Sequence, residues 1–202
     1  MSRSLLMATH NQGKVAELRE LLRDTGWTCG GLPDGTPDFP EDGDTFGENA
    51  RGKALFYAEH VGAVALADDS GLMIDALDGE PGVYSARYID PAISQEERNA
   101  AVLDRLRGIP PQQRGAQFVC HLVLARSGDV VRETTGVCQG AITNRVHGDG
   151  GFGYDPIFRP AGHTPTFAEM PRATKSALSH RGQAVAAMVD FLRNCEPEPG
   201  VS

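Results

Sequence analysis

The first twenty-two residues constrain the fold more than any later segment. Leu5-Leu6-Met7-Ala8 is a short apolar run of the kind that becomes a buried strand. It stops at Thr9-His10-Asn11-Gln12-Gly13-Lys14. Beyond that turn Val15, Leu18, Leu21 and Leu22 recur at helical spacing, and the pattern closes near Gly26. A strand, a polar turn and an amphipathic helix in that order are the opening unit of an α/β chain.

The rest of the chain continues the theme. Residues 33–45 are rich in Pro, Gly and acidic side chains and read as a loop. Thr45 and Glu48 stand at capping-box spacing, which predicts a helix from there to about His60. Val64-Ala65-Leu66-Ala67 reads as a buried strand that stops at a turn, Asp68-Asp69-Ser70-Gly71, with Leu72-Met73-Ile74 as a further short strand. Ser94 and Glu97 repeat the capping box before a helix that ends at Gly108 and Pro110. Residues 118–124 are apolar on both alternating faces. With Gly128-Asp129 as the turn and residues 130–142 as the return, they predict an antiparallel hairpin inside a mixed sheet. The last helix is expected over residues 182–194, and residues 196–202 read as a frayed tail. A length of 202 residues, 40% hydrophobic, suits one domain, or a closely joined pair of lobes, over residues 1–195.

Charge and cysteine usage narrow the function classes. A formal net charge of −8 argues against a nucleic-acid-coating surface and against an anionic-membrane partner. An anionic small ligand stays open, because a metal ion and a few local Lys or Arg can reverse the field at one site. Cys29, Cys120, Cys138 and Cys195 are scattered, which favours neither a disulfide scaffold nor structural zinc. There is no long apolar span, and the opening run is too short for a signal peptide. The expectation is a soluble cytoplasmic protein with reduced thiols.

Four clusters carry chemistry. Thr9-x-Asn11-x-x-Lys14 lies where a strand ends and a helix begins, a place where backbone N–H groups and the helix dipole favour an anion. The same residues also make a plain N-cap beside an exposed lysine. The segment is not a Walker A loop, since the upstream Gly and the Ser or Thr after Lys14 are missing. Asp68-Asp69 puts paired carboxylates at the rim of a core, able to hold a hard cation or a reacting water, or simply to turn the chain. Glu41 joins Asp69 as a candidate Mg²⁺ ligand, whereas Asp34, Asp38 and Asp42 read as solvated. In Gly150-Gly151-Phe152-Gly153-Tyr154-Asp155-Pro156 the glycines leave Phe152 open for a planar ring to stack on. The alternative is a tight loop with a packed aromatic, and Asp155 would either accept from a base N–H or anchor that loop. Finally, Lys175-Ser176 and Ser179-His180-Arg181-Gly182 supply donors for carbonyl or phosphate oxygens ahead of a helix. By itself Lys175 would face solvent.

Together these clusters resemble the Ham1/RdgB-type inosine triphosphate pyrophosphatases. The matching pieces run in order over nearly the whole chain: T-H-N-Q-G-K (9–14), E-D-G-D-T-F-G-E-N-A (41–50), A-D-D-S-G-L (67–72), P-G-V-Y-S-A-R-Y (81–88), G-G-F-G-Y-D-P-I-F (150–158) and K-S-A-L-S-H-R-G-Q-A (175–184). His10 stands where that family often has Gly. The resemblance implies an elongated α/β fold with a mixed sheet, a nucleotide cleft between two lobes, and a homodimer. It implies Mg²⁺-dependent hydrolysis of ITP, dITP and XTP to the monophosphate and pyrophosphate, which keeps deaminated purines out of DNA and RNA. Residue by residue, it implies that Thr9, His10, Asn11, Gln12, Gly13 and Lys14 bind the triphosphate and that Ser70 touches the substrate. Glu41 and Asp69 would organise the metal, supported by Asp68 and Lys53, and Asp69 would also be the base for the attacking water. Phe152, Gly153, Tyr154, Asp155, Lys175, His180 and Arg181 would hold the purine. A Maf-type pyrophosphatase is the rival within enzymes, and the G-G-F-G-Y-D and S-H-R-G segments oppose it. Glu41, Asp69 and Lys14 oppose a non-hydrolysing binding module. A phosphoryl-aspartate phosphatase would want a carboxylate at position 71, which is Gly.

Overall fold

Leu5, Leu6 and Met7 are all buried, so the first strand, β1 (Arg3–Met7), needs cover on both faces. In the computed structural model, which describes residues 3–195, β1 is an interior strand of a sheet whose faces carry helices. β1 lies between β2 (Trp27–Gly30) and β3 (Ala65–Ile74) and is parallel to both, with Leu6 opposite Gly30 on one side and Ala65 on the other. The parallel pairs require helical crossovers. α1 (Gln12–Leu21) leads from β1 to β2, and α2 (Phe46–Val61) precedes β3. β4 (Gly115–Arg126), β5 (Asp129–Ile142) and β6 (Phe158–Pro160) complete a six-stranded sheet in the order β2-β1-β3-β4-β5-β6. β4 and β5 are neighbours joined by two residues, a link only antiparallel strands can use, and β6 runs antiparallel to β5. With α3 (Gln95–Arg105), α4 (Arg172–Leu178) and α5 (His180–Asn194), the fold is α/β, as the opening strand and helix predicted, with a mixed sheet, as the hairpin predicted.

The chain forms two compact units. The first holds the residues up to Asp69, His121–Thr135 and those from Ala184 on. Its core sets Leu6, Ala8, Ala65, Ala67, Val123 and Ala125 of the strands against Ala50, Ala54, Tyr57 and Ala58 of α2. Alanines at every fourth position give that helix a face without bulk toward the sheet. The second unit, Ser70–Cys120 with Gly136–Gln183, packs Leu72, Ile74, Phe118 and Ile142 against Val102, Leu106, Tyr154, Phe158 and Phe167. Phe118 meets Phe158 edge-on at 4.6 Å between ring centroids.

Three elements depart from expectation. There is no turn at Asp68-Asp69-Ser70-Gly71, because β3 runs unbroken through it. Asp68 and Asp69 are both buried, and a buried backbone must keep its hydrogen-bond ladder, which outweighs the turn preference of the side chains. The hairpin turn is Ser127-Gly128, one residue early, with Gly128 supplying the left-handed conformation at φ +79°. Residues 172–178 form a helix, so Lys175 is on α4, and α5 begins at His180 rather than at 182. Both capping boxes form as read from sequence, at Thr45 and at Ser94. The expected tail, 196–202, lies outside the described residues.

Candidate functional site

In the first unit the turn after β1 is a fully made N-cap. Asn11 Oδ1 accepts from the N–H groups of Gly13 (2.9 Å) and Lys14 (3.2 Å), and Thr9 Oγ1 accepts from the N–H of Asn11 (3.1 Å). Those backbone donors are engaged within the turn. What the turn offers an anion is therefore the helix dipole, the side-chain charge of Lys14 and the side-chain donors of Thr9 and Asn11. Lys14 is not the exposed lysine of the plain-cap reading: its ammonium pairs with Asp68 Oδ1 at 2.5 Å and reaches the Asp68 carbonyl at 3.4 Å. Gln12 is exposed and Gly13 partly buried. His10 Nε2 lies 3.3 Å from Asp38 Oδ1, with the imidazole edge-on to Tyr57.

Strand alternation separates the two aspartates. Asp69 shares its face of β3 with Ala65 and Ala67, the face that packs against α2, while Asp68 points to the opposite face with Leu66. On α2, Lys53 is buried and pairs with Glu41 from the acidic loop. Burial pushes the Asp69 carboxyl up to about 6. That net value already includes the downward pull of Lys14 and then Lys53 and the smaller upward push of Glu41 and Asp68. Asp69 thus stands within the electrostatic reach of every other charged group the sequence nominated in this unit. Among the described residues no three His, Cys, Asp or Glu side chains form a ready-made metal cluster. The chemistry of the donor set nevertheless fits Mg²⁺: two hard carboxylates suffice for an ion that takes its remaining oxygens from water and phosphate.

The second unit gathers the later residues. Gly151 sits at φ +72°, and a Cβ there would run into the Asp155 carboxylate. Asp155 Oδ2 accepts from the Phe152 N–H (2.8 Å) and from Lys175 Nζ (2.6 Å), so of its two sequence readings the loop-anchoring role is the one the geometry displays. Lys175 is buried on α4, contrary to the solvent-facing expectation, because Asp155 neutralises it and two rings receive it. Its Nζ lies 4.9 Å from the Phe152 centroid and 5.8 Å from that of Phe167. Arg181 Cζ is 5.6 Å from the same Phe152 ring, and Arg181 Nη2 donates to Ser70 Oγ at 2.9 Å. His180 stacks on Phe118, with centroids 4.7 Å apart and ring planes within 10°. Tyr154 is a core residue: its hydroxyl donates to the Ser85 carbonyl (2.9 Å), and burial pushes the phenol well above its ordinary value. Gly153, at φ +63°, accepts at its carbonyl from Asn99 Nδ2 (3.2 Å).

Sequence reasoning assigned no role to Ser85, Asn99, Asn49 or Tyr57. Ser85 Oγ accepts from the Leu72 N–H at 2.9 Å, two residues beyond Ser70, and the signal for it was the P-G-V-Y-S-A-R-Y segment, which otherwise had no task. Every phosphate- or metal-type residue predicted falls in the first unit, and Ser70 and every base-type residue fall in the second. Along the chain the first passage from one unit to the other falls between Asp69 and Ser70.

A sequence model of the Ham1 family matches residues 5–191. A dITP/XTP pyrophosphatase of Gloeobacter violaceus is 48% identical over 191 residues, which cover 94% of this chain and 94% of that protein. The dITP/XTP pyrophosphatase of Desulforamulus reducens is 44% identical over 191 residues, 93% of this chain and 94% of its own. Among solved structures, a HAM1 protein from Coxiella burnetii matches with a TM-score of 0.86 at 38% identity, covering 96% of this chain and all of that one. The Ham1 protein of Staphylococcus aureus matches with a TM-score of 0.81 at 35% identity, covering 94% and 98%.

Proposed function

The chain belongs to the Ham1 family, and from that premise we propose that it hydrolyses ITP, dITP and XTP to the monophosphate and pyrophosphate, removing deaminated purines from the nucleotide pool. Relatives named dITP/XTP pyrophosphatases support the reaction. The observation that carries it to this chain is Asp69, a buried carboxylate raised to about 6 and set among Lys14, Lys53, Glu41 and Asp68. A buried carboxylate among two lysines and two further carboxylates can hold a hard cation and a reacting water at one rigid point.

The residues divide the work. Lys14 and the N-terminal dipole of α1 draw in the triphosphate, with Thr9 and Asn11 as neutral donors and His10, Gln12 and Gly13 completing the turn. Glu41 and Asp69 would hold Mg²⁺, which when bound neutralises phosphate charge and eases departure of pyrophosphate. Asp69 accepts the proton of the water that attacks the α phosphorus. Asp68 fixes Lys14 through their ion pair, and Lys53 holds Glu41. Ser70 touches the substrate, and Phe152 receives the base by stacking in the loop that Gly153, Tyr154 and Asp155 shape. Lys175, His180 and Arg181 donate to the 6-keto oxygen of hypoxanthine or xanthine. An adenine amino group would leave those donors facing another donor, and unpaired buried polar groups reject strongly. The same family premise extends to a homodimer and to a cytoplasmic site of action. No described helix is long and apolar enough to cross a membrane.

Hydrolysis of ITP with Mg²⁺ in heavy-oxygen water tests the point of attack. Label in inosine monophosphate, with unlabelled pyrophosphate, is the expected result. Label in pyrophosphate, or release of orthophosphate alone, would overturn the mechanism.

A further inference from the structure

One helix carries an unbroken stripe of anchors for the loop that bears Glu41. Asn49, Lys53 and Tyr57 stand four residues apart on α2 and so share a face. All three are buried, with Asn49 1%, Lys53 5% and Tyr57 2% exposed. Each one holds the acidic loop at a different point. Asn49 Oδ1 accepts from the Gly43 N–H at 2.8 Å, while its Nδ2 donates to the Gly43 carbonyl at 3.4 Å. Lys53 pairs with Glu41. The Tyr57 hydroxyl donates to the Pro37 carbonyl (3.1 Å) and accepts from the Phe39 N–H (3.2 Å). Between these anchors Phe39 is seated over a glycine: a Cβ at Gly52 would fall 2.5 Å from Phe39 Cζ, and the Phe39 ring lies 5.6 Å from that of Phe56.

Three Pro and two Gly among residues 33–45 leave the loop little secondary structure of its own. α2 therefore contributes most of the loop's anchors, beside the His10–Asp38 contact, and Glu41 sits between two clamped ends, at Gly43 and at residues 37–39. We infer that Asn49 and Tyr57 are positioning residues for Glu41, setting the loop so that its carboxylate is in place before any metal arrives. This rests on the reading of Glu41 as a Mg²⁺ ligand. Preorganisation of this kind lowers the ordering that binding would otherwise require.

Tyr57→Phe keeps the ring and its packing and removes both loop hydrogen bonds; Asn49→Ala removes the other clamp. In metal-free protein, hydrogen exchange of the amides at 38–43 should quicken in both variants while β3 and the centre of α2 keep their protection. With ITP, the Mg²⁺ concentration for half-maximal rate should rise by about fivefold to thirtyfold, the effect of one or two ordinary hydrogen bonds. KM for the nucleotide at saturating Mg²⁺ should stay within about twofold, since no nucleotide contact is removed. A merely structural role would lower thermal stability and leave the Mg²⁺ midpoint in place. Unchanged exchange at 38–43, or an unchanged Mg²⁺ midpoint, overturns the inference. Wild-type protein that releases no pyrophosphate from ITP would instead count against the proposed reaction, and the exchange measurement alone would then decide the positioning role.

Discussion

Asp69 is the residue on which chemistry and stability pull in opposite directions. Its carboxyl is raised from 3.8 to about 6, chiefly by burial. The folded protein therefore holds that proton more tightly than the unfolded chain. The resulting stabilisation is complete below the unfolded value and is lost as pH rises through about 6, after which the buried charge opposes folding. Replacing Asp69 by Asn should make metal-free protein relatively more stable at about pH 8 than at about pH 5, by on the order of 1 kcal/mol. Thermal melts of the two proteins at both pH values check this, and an equal gap at each would contradict it. The same substitution should lower kcat by roughly a hundredfold or more, the range for removing a general base, measured as pyrophosphate release at saturating Mg²⁺. Asp155 makes a different case. It neutralises buried Lys175 and caps the Phe152 N–H, so Asp155→Ala takes the carboxylate away from a buried cation and the loop cap with it. The expected loss is about 3–5 kcal/mol in urea unfolding.

Among the elements, those with local causes were legible and those with tertiary causes were not. Thr45 and Ser94 bond to the N–H groups of Glu48 and Glu97, three residues on, and nothing distant is needed to start α2 or α3. Thr45→Ala should accordingly cost about 1 kcal/mol, measured by denaturant melts, with no change in the slope of unfolding. The course of β3 through Asp68-Asp69-Ser70-Gly71 could not be read locally, since every one of those residues favours a turn and only the cover on both faces of the strand prevents one. α4 escaped notice for another reason. It has seven residues and buries one, the cationic Lys175, so it lacks the apolar stripe that betrays a helix. Asn49 and Tyr57 read as ordinary members of an amphipathic helix because their partners, Gly43, Pro37 and Phe39, belong to a loop whose path no periodicity describes.

At the scale of the molecule, each unit has its own core and its own set of nominated residues. The fold class was legible from one strand and one helix. The grouping of residues within each unit was not, because Lys14 and Asp68, or Lys175 and Asp155, meet only through tertiary packing. A chain with net charge −8 still holds two buried or half-buried lysines around Asp69 and an arginine and a lysine beside Phe152. That pairing of local cations with an acidic whole suits an anionic nucleotide held at a site rather than a polyanion spread over a surface. The measurement that bears most directly on this is Mg²⁺-dependent release of pyrophosphate from ITP, dITP, XTP, GTP and ATP by the intact chain. Donors at the 6-keto edge predict that ITP, dITP and XTP are cleaved with kcat/KM at least about a hundredfold above ATP, the scale of rejection by unpaired buried donors. Cleavage of ATP as readily as ITP would contradict the account.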